Sequence, residues 1–318
     1  MSHAPTSAAA ERCAGTTTPG PALELLPGRS TLLGDLAIRR LLPARGRRLV
    51  GPWCFLDAFG PLSFAGGKPM DVPPHPHVGL QTVSWLLDGE VLHRDSLGFE
   101  ATGRPGTLNL MTAGRGIAHS EETPAVHGGR LEGVQLWVAL PDAHRQVEPS
   151  FEHHGDLPSL ELDGGCATVF LGGLGDRRAP GRVFSPIVGA DVAVESGGHL
   201  DLPLEPSFEH AVLLLRGTGE VEGSALPPDT LVFLGTGRSR VALAAPGGPL
   251  RLLLIGGAPF GEAVLMWWNF VARTSAEIAA AREDWAAGRR FGEVTGYPGA
   301  RLDVPPFVAR PVPPADRI

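Results

Sequence analysis

Two stretches of this chain, one in each half, follow the same plan. In the first, Leu86-Leu87-Asp88-Gly89 ends an apolar run. A Pro105-Gly106 turn follows, and then Thr107 to Ala113 runs into Gly114-Arg115. In the second, Leu214-Leu215-Arg216-Gly217 is followed by a Pro228-Asp229 turn, and Thr230 to Thr236 runs into Gly237-Arg238. Apolar runs this short, cut by Gly and Pro, suit strands rather than helices, and a plan that runs twice points to a duplicated β unit. The composition agrees, with 43 Gly and 31 Pro among 318 residues and 43% hydrophobic residues to build cores. The length suits two domains. The expected architecture is therefore all-β, with two tandem β-barrels.

The helical exception lies near the end. Thr274-x-x-Glu277 is a capping box, and the Ala-rich stretch behind it predicts a closing helix over 275–287. The small, polar start, 1–20, reads as a disordered tail, and the Pro-rich stretch 298–318 as an extended one. Between them the expected units are a first domain over 21–148, a polar connection over 149–164 and a second domain over 165–297.

Charge and cysteine content narrow the function classes. The formal net charge is −7 and there is no basic block, which argues against nucleic acid or an anionic membrane as a direct partner. Cys13, Cys54 and Cys166 are odd in number and far apart, so a disulfide framework is not expected. The start lacks the basic-then-apolar pattern of a secretory signal, and no apolar run approaches the ~20 residues that span a bilayer. These features together predict a cytoplasmic protein.

The chemistry concentrates in two segments. Pro73 to Gly98 reads PPHPHVGLQTVSWLLDGEVLHRDSLG, and Met111 to Pro124 reads MTAGRGIAHSEETP. His75 and His77 are i and i+2, as are His119 and Glu121. On a strand such pairs point to one face. Three imidazoles and one carboxylate suit Fe, Mn, Ni, Cu or Zn, whereas Mg and Ca prefer all-oxygen sites. Four such ligands on an octahedral ion leave two cis positions for substrate and O2, the arrangement of non-haem iron oxygenases.

These two segments, with GVQLWVALP at Gly133 to Pro141 and NFVARTSAEIAAAREDW at Asn269 to Trp285, resemble the pirin family of cupins. The resemblance implies two tandem cupin (jelly-roll) β-barrels with a metal-free second barrel. It implies one metal, most often iron, held by His75, His77, His119 and Glu121. Some pirins are similar to quercetin 2,3-dioxygenases, which open a flavonol ring with O2; others resemble metal- or redox-sensing regulators that bind a partner protein. In the dioxygenase reading Glu121 serves as the base, and the apolar wall around a flat substrate comes from Val83, Trp85, Leu136 or Trp137. Gln81 stands where most members carry Glu, and strand parity places it on the face of His75 and His77 if no bulge intervenes.

The repeat alignment gives Pro203, Glu205, Ala242 and Ala244 as the second-barrel equivalents of the ligands, so no ligand set survives there. His199, Glu209 and His210 lie nearby without paired spacing. His93 and Arg94-Asp95 are expected to make local loop bonds, His153-His154 to be solvated, and Cys54 to be a small buried hydrophobe. Arg115 is expected to anchor the turn before His119, and Met266-Trp267-Trp268 to be a packed strand.

Overall fold

A computed structural model describes residues 11–13 and 20–306. The chain folds into two β-barrels and one helix. In the first barrel a seven-stranded sheet carries Trp53–Ser63, Leu80–Gly89, Leu108–Thr112 and Arg130–Ala139. It faces a four-stranded sheet of Asp71–His77, Ile117–Glu122, Val91–Asp95 and Glu100–Gly103. The second barrel repeats this with an eight-stranded and a four-stranded sheet. The strand pairings within these sheets are antiparallel.

The chain's first long strand crosses to the second barrel. Pro21–Pro27 pairs with Thr230–Gly235 and so belongs to the second barrel's sheet. Ser150–His154 pairs with Leu108–Thr112 and belongs to the first. The stretch expected as a polar connection thus holds two strands, Ser150–His154 and Ser159–Leu162, one in each barrel. Polarity misleads there because edge strands are half solvated. Most of the expected 1–20 tail and the end of the Pro-rich tail lie outside the described residues. Glu11–Cys13, however, forms a short strand on Val264–Trp267.

The outer faces of the two large sheets pack together. Val83, Trp85, Leu136, Phe170, Leu213 and Ile255 meet in one shared core. Trp85 stacks on Phe170 at 5.0 Å, and its Nε1–H donates to Asp191 Oδ2 at 2.7 Å. Arg251 holds both oxygens of Asp191, so this buried carboxylate is fully engaged. The alternation of Leu80–Gly89 follows from this. Val83 and Trp85 point to the second barrel, while Thr82, Ser84 and Leu86 point into the first.

The helix runs Ser275–Ala286. Thr274 caps it, with the Glu277 carboxylate returning to the Thr274 backbone N–H. Its buried face, Ile278, Ala281 and Trp285, joins Trp267, Trp268 and Phe270 in a core of their own.

Candidate metal centre

Gly79 is the point where the chain leaves one sheet for the other. Its φ is +70°, and an added Cβ would sit 2.1 Å from the Val271 carbonyl oxygen, so only glycine fits. Before it, Asp71–His77 carries His75 and His77 in the small sheet. After it, Leu80–Gly89 begins in the large one. Parity does not carry across such a step, and the expectation for Gln81 fails. Gln81 shares the face of Val83 and Trp85, where its Nε2 donates to Thr112 Oγ1 at 2.9 Å and to the Arg182 carbonyl at 3.0 Å. It ties the first barrel to a loop of the second half and takes no part in the ligand cluster.

Ile117–Glu122 lies between Asp71–His77 and Val91–Asp95. His119 stands opposite His75 on one side and Asp95 on the other; Glu121 stands opposite His93. His75, His77 and His119 bring one ring nitrogen each within 4.8 Å of one another. Their ring centroids are 4.4–5.0 Å apart and all three are fully buried. Glu121 is 2% exposed and points into the same barrel, but it falls outside that three-histidine group. Among the described residues no other group of three or more ligating side chains comes as close.

The unused polar atoms identify what the cluster is for. His75 Nδ1 donates to the Pro73 carbonyl at 2.8 Å, leaving Nε2 without a partner. His119 Nε2 and the Glu121 Oε2 atom also lack one, and both nitrogens of His77 make no hydrogen bond of ordinary geometry. A buried polar atom left unmade costs about 1–3 kcal/mol. Several converging on one point cost much more, unless a cation uses their lone pairs. Burial drives the rings towards the neutral, ligating form. It holds His75 down at about 3, and holds His77 and His119 well below 6.5, with repulsion from neighbouring imidazolium adding to the effect. Burial pushes the Glu121 carboxyl up from its ordinary range, and the hydrogen bond from Ser84 offsets part of that rise.

Ser84 Oγ lies 3.2 Å from Glu121 Oε1 and 2.8 Å from the Gln135 amide oxygen. One hydroxyl carries one proton. A half-turn of the Gln135 amide resolves the conflict, because its Nε2 then donates to Ser84 and Ser84 donates to Glu121. Gln135 Nε2 makes no other hydrogen bond of ordinary geometry.

Sequence reading missed the role of His93. It is not in a loop but on Val91–Asp95, 3% exposed and stacked on Phe151 at 4.2 Å. Its Nε2 meets Asp95 Oδ2 at 3.0 Å and its Nδ1 meets His119 Nδ1 at 3.2 Å. Asp95 Oδ1 accepts from the Leu97 and Phe99 backbone N–H groups. The available signal was spacing, since His93 and Asp95 are i and i+2 just like the two ligand pairs.

Of the expected apolar wall, only Trp137 faces the centre. Its ring stands edge-on to His77 at 5.3 Å and stacks on Phe55 at 4.0 Å. Val83, Trp85 and Leu136 lie in the core between the barrels. Arg115 pairs with Glu148 at 2.6 Å, and its backbone N–H bonds the Val147 carbonyl, which fixes the turn before His119. His153 and His154 sit on the edge strand, bonded to Asn109 and Glu152 and remote from the cluster. Cys54 is buried, with Sγ 3.5 Å from the Trp137 carbonyl. In the second barrel Asp201 stands opposite Ala242 and Pro203 opposite Arg240, and among the described residues this strand pair brings no three ligating side chains together.

Known proteins share this design. Residues 36–138 match the Pirin family model and 189–292 match the Pirin C-terminal cupin domain. A Pseudomonas aeruginosa protein, named provisionally as a quercetin 2,3-dioxygenase, is 46% identical over 275 residues, covering 86% of this chain and 87% of its own. A crystal structure of quercetin 2,3-dioxygenase from Acinetobacter baumannii superposes with a TM-score of 0.84 at 42% identity, covering 93% of this chain and 97% of that one. A bacterial pirin from Escherichia coli, solved in complex with nickel(II), shares the fold at a TM-score of 0.59 and 17% identity, over 75% of this chain and all of its own. With both barrels matched in order and relatives aligned along most of the length, the chain belongs to the pirin family.

Proposed function

We propose that this protein is an O2-dependent dioxygenase of the quercetin 2,3-dioxygenase type, working on a flavonol-like aromatic substrate with one divalent transition metal in the first barrel. The observation that carries the reading is the convergence of partnerless lone pairs from His75, His77, His119 and Glu121 inside one buried barrel. The similarity to proteins named for this activity supports it. Iron(II) is the proposed ion; the donor set also fits Mn, Ni, Cu and Zn.

When bound, the cation supplies Lewis acidity to a substrate oxygen and so eases loss of its proton. The chain's own residues do the rest. The three imidazoles enter neutral and keep their lone pairs available. Glu121 Oε2 accepts the flavonol hydroxyl proton, while Ser84 holds Oε1 and keeps the carboxylate aimed. Burial favours the protonated form of Glu121, so it takes the proton readily and returns it late. Trp137 presents an aromatic edge beside His77.

The deep burial of the ligands favours a second reading. With the four side chains no more than 2% exposed, a flavonol reaches them only when covering segments part, whereas a regulator that senses metal or redox state needs no such opening. The test is flavonol consumption, followed at its absorbance band, by protein of known metal content in air and under nitrogen. O2-dependent loss that disappears in Glu121→Gln while metal remains supports the dioxygenase. No loss with iron, manganese, nickel or copper loaded overturns it in favour of the regulator.

A further inference from the structure

The second barrel has no ligand set, yet it holds a cavity of about 430 Å³ beside the end of His199–Pro203. Its walls are mostly apolar, with Leu174, Val188, Leu204 and Phe208 among them. One polar group enters from the barrel wall. His210 lies on Glu209–Arg216, where Ala211 and Leu213 face the first barrel; His210 and Val212 therefore face inward. It is 1% exposed, and neither ring nitrogen makes a hydrogen bond of ordinary geometry, although the Phe208 backbone lies close by. The seat is cut to the ring. A Cβ on Gly256, across the ladder, would come 2.6 Å from His210 Cδ2.

Arg178 lines the same cavity. Its guanidinium lies over Gly173, where a Cβ would be 2.6 Å from Nη1, and that nitrogen donates to the Gly175 and Arg177 carbonyls at 2.7 and 2.8 Å. The guanidinium is thereby oriented in advance. Glu205, also on the lining, turns its Oε1 to the Ser207 N–H and hydroxyl, which engages its charge.

We propose that this cavity is a second ligand site, which binds a small hydroxylated aromatic acid with its ring between the apolar walls, its hydroxyl on His210 and its carboxylate toward Arg178. A volume of this size is typical of small-molecule sites, which are mainly apolar with a few placed polar groups. Burial holds His210 down at about 4 despite the pull of Glu205 and the Phe208 backbone, so the ring is neutral near pH 7. A neutral imidazole offers one donor and one acceptor, the complement of a phenolic hydroxyl. A guanidinium is the natural partner of a carboxylate. An imidazole left unengaged in a buried wall is unfavourable, and a ligand hydroxyl relieves it. The site does not depend on the metal-centre reading.

The test uses 4-hydroxybenzoate as probe with the full, metal-loaded chain, by titration calorimetry and by NMR of the histidine ring nitrogens. The expected result is saturable one-site binding that moves the His210 signals, weakens at least about tenfold in both His210→Phe and Arg178→Gln, and weakens similarly when benzoate replaces the probe. His210→Phe should keep the parent's metal content. Arg178→Gln, on an exposed side chain, guards against a folding defect in the other variant. Absence of saturation to about 10 mM, equal binding in both variants, or binding that vanishes in His75→Ala would overturn the proposal. The last result would place the probe at the metal centre instead.

Discussion

His93 Nδ1 lies 3.2 Å from His119 Nδ1, and that contact decides which nitrogen of His119 faces the ligand cluster. His93 Nε2–H donates to Asp95 Oδ2, which leaves the Nδ1 lone pair of that tautomer turned toward His119. His119 must then donate from Nδ1, and its lone pair lies on Nε2, the partnerless atom. An Asp–His–His chain thus sets the tautomer of a proposed metal ligand from the neighbouring strand.

This relation gives the first prediction. In Asp95→Asn the Leu97 and Phe99 N–H groups still hold the side-chain oxygen, so the amide nitrogen faces His93. Two donors then meet, His93 must reverse its tautomer, and His119 loses its acceptor. Nickel(II) affinity, measured by competition with a chelator, should fall about 10–100-fold with the far-ultraviolet spectrum unchanged. Affinity within twofold of the parent chain would show that His119 is oriented without this relay.

Gln81 supplies the second prediction. Its amide donates to the Arg182 carbonyl and to Thr112 in the interface between the barrels. In Gln81→Glu a carboxylate faces that carbonyl and cannot donate to it. Stability in urea should drop by about 1–3 kcal/mol, with the metal content unaltered. A change in metal affinity without loss of stability would return position 81 to the ligand cluster.

Much of the site is legible in the sequence because strand parity is local. His75 with His77, and His119 with Glu121, each lie within one strand, and their i, i+2 spacing survives folding. What fails is inference across a break. Gly79 moves the chain between sheets, so Gln81, Val83 and Trp85 face the second barrel instead of the metal centre. His93 was hidden for the opposite reason. Its significance comes from a partner strand 26 residues away, and nothing local announces that pairing. The edge strands are likewise illegible, since Pro21–Pro27 reads as the start of the first domain and Ser150–His154 as a connection until each meets its sheet, the first in the second barrel and the other in the first.

The third prediction concerns acid. The folded-state value of His210 is near 4 against an ordinary 6.5, so between these pH values the unfolded chain binds more protons. Stability contributed by this residue is therefore complete above 6.5 and is lost as pH falls towards 4, at about 1.4 kcal/mol per pH unit and roughly 3 kcal/mol in all. Denaturant titrations of the parent chain and His210→Phe should run parallel above pH 6.5 and converge or cross below it. Parallel curves down to pH 4.5 would mean that the ring titrates normally in the folded chain.

We propose one metal ion in the first barrel, on His75, His77, His119 and Glu121. Elemental analysis of protein loaded anaerobically with iron(II), and separately with nickel(II), tests it most directly when paired with His77→Ala and Glu205→Gln. One ion per chain is expected in the parent and in Glu205→Gln, with less than about a tenth of an ion in His77→Ala. Two ions per parent chain, or undiminished metal in His77→Ala, would contradict it.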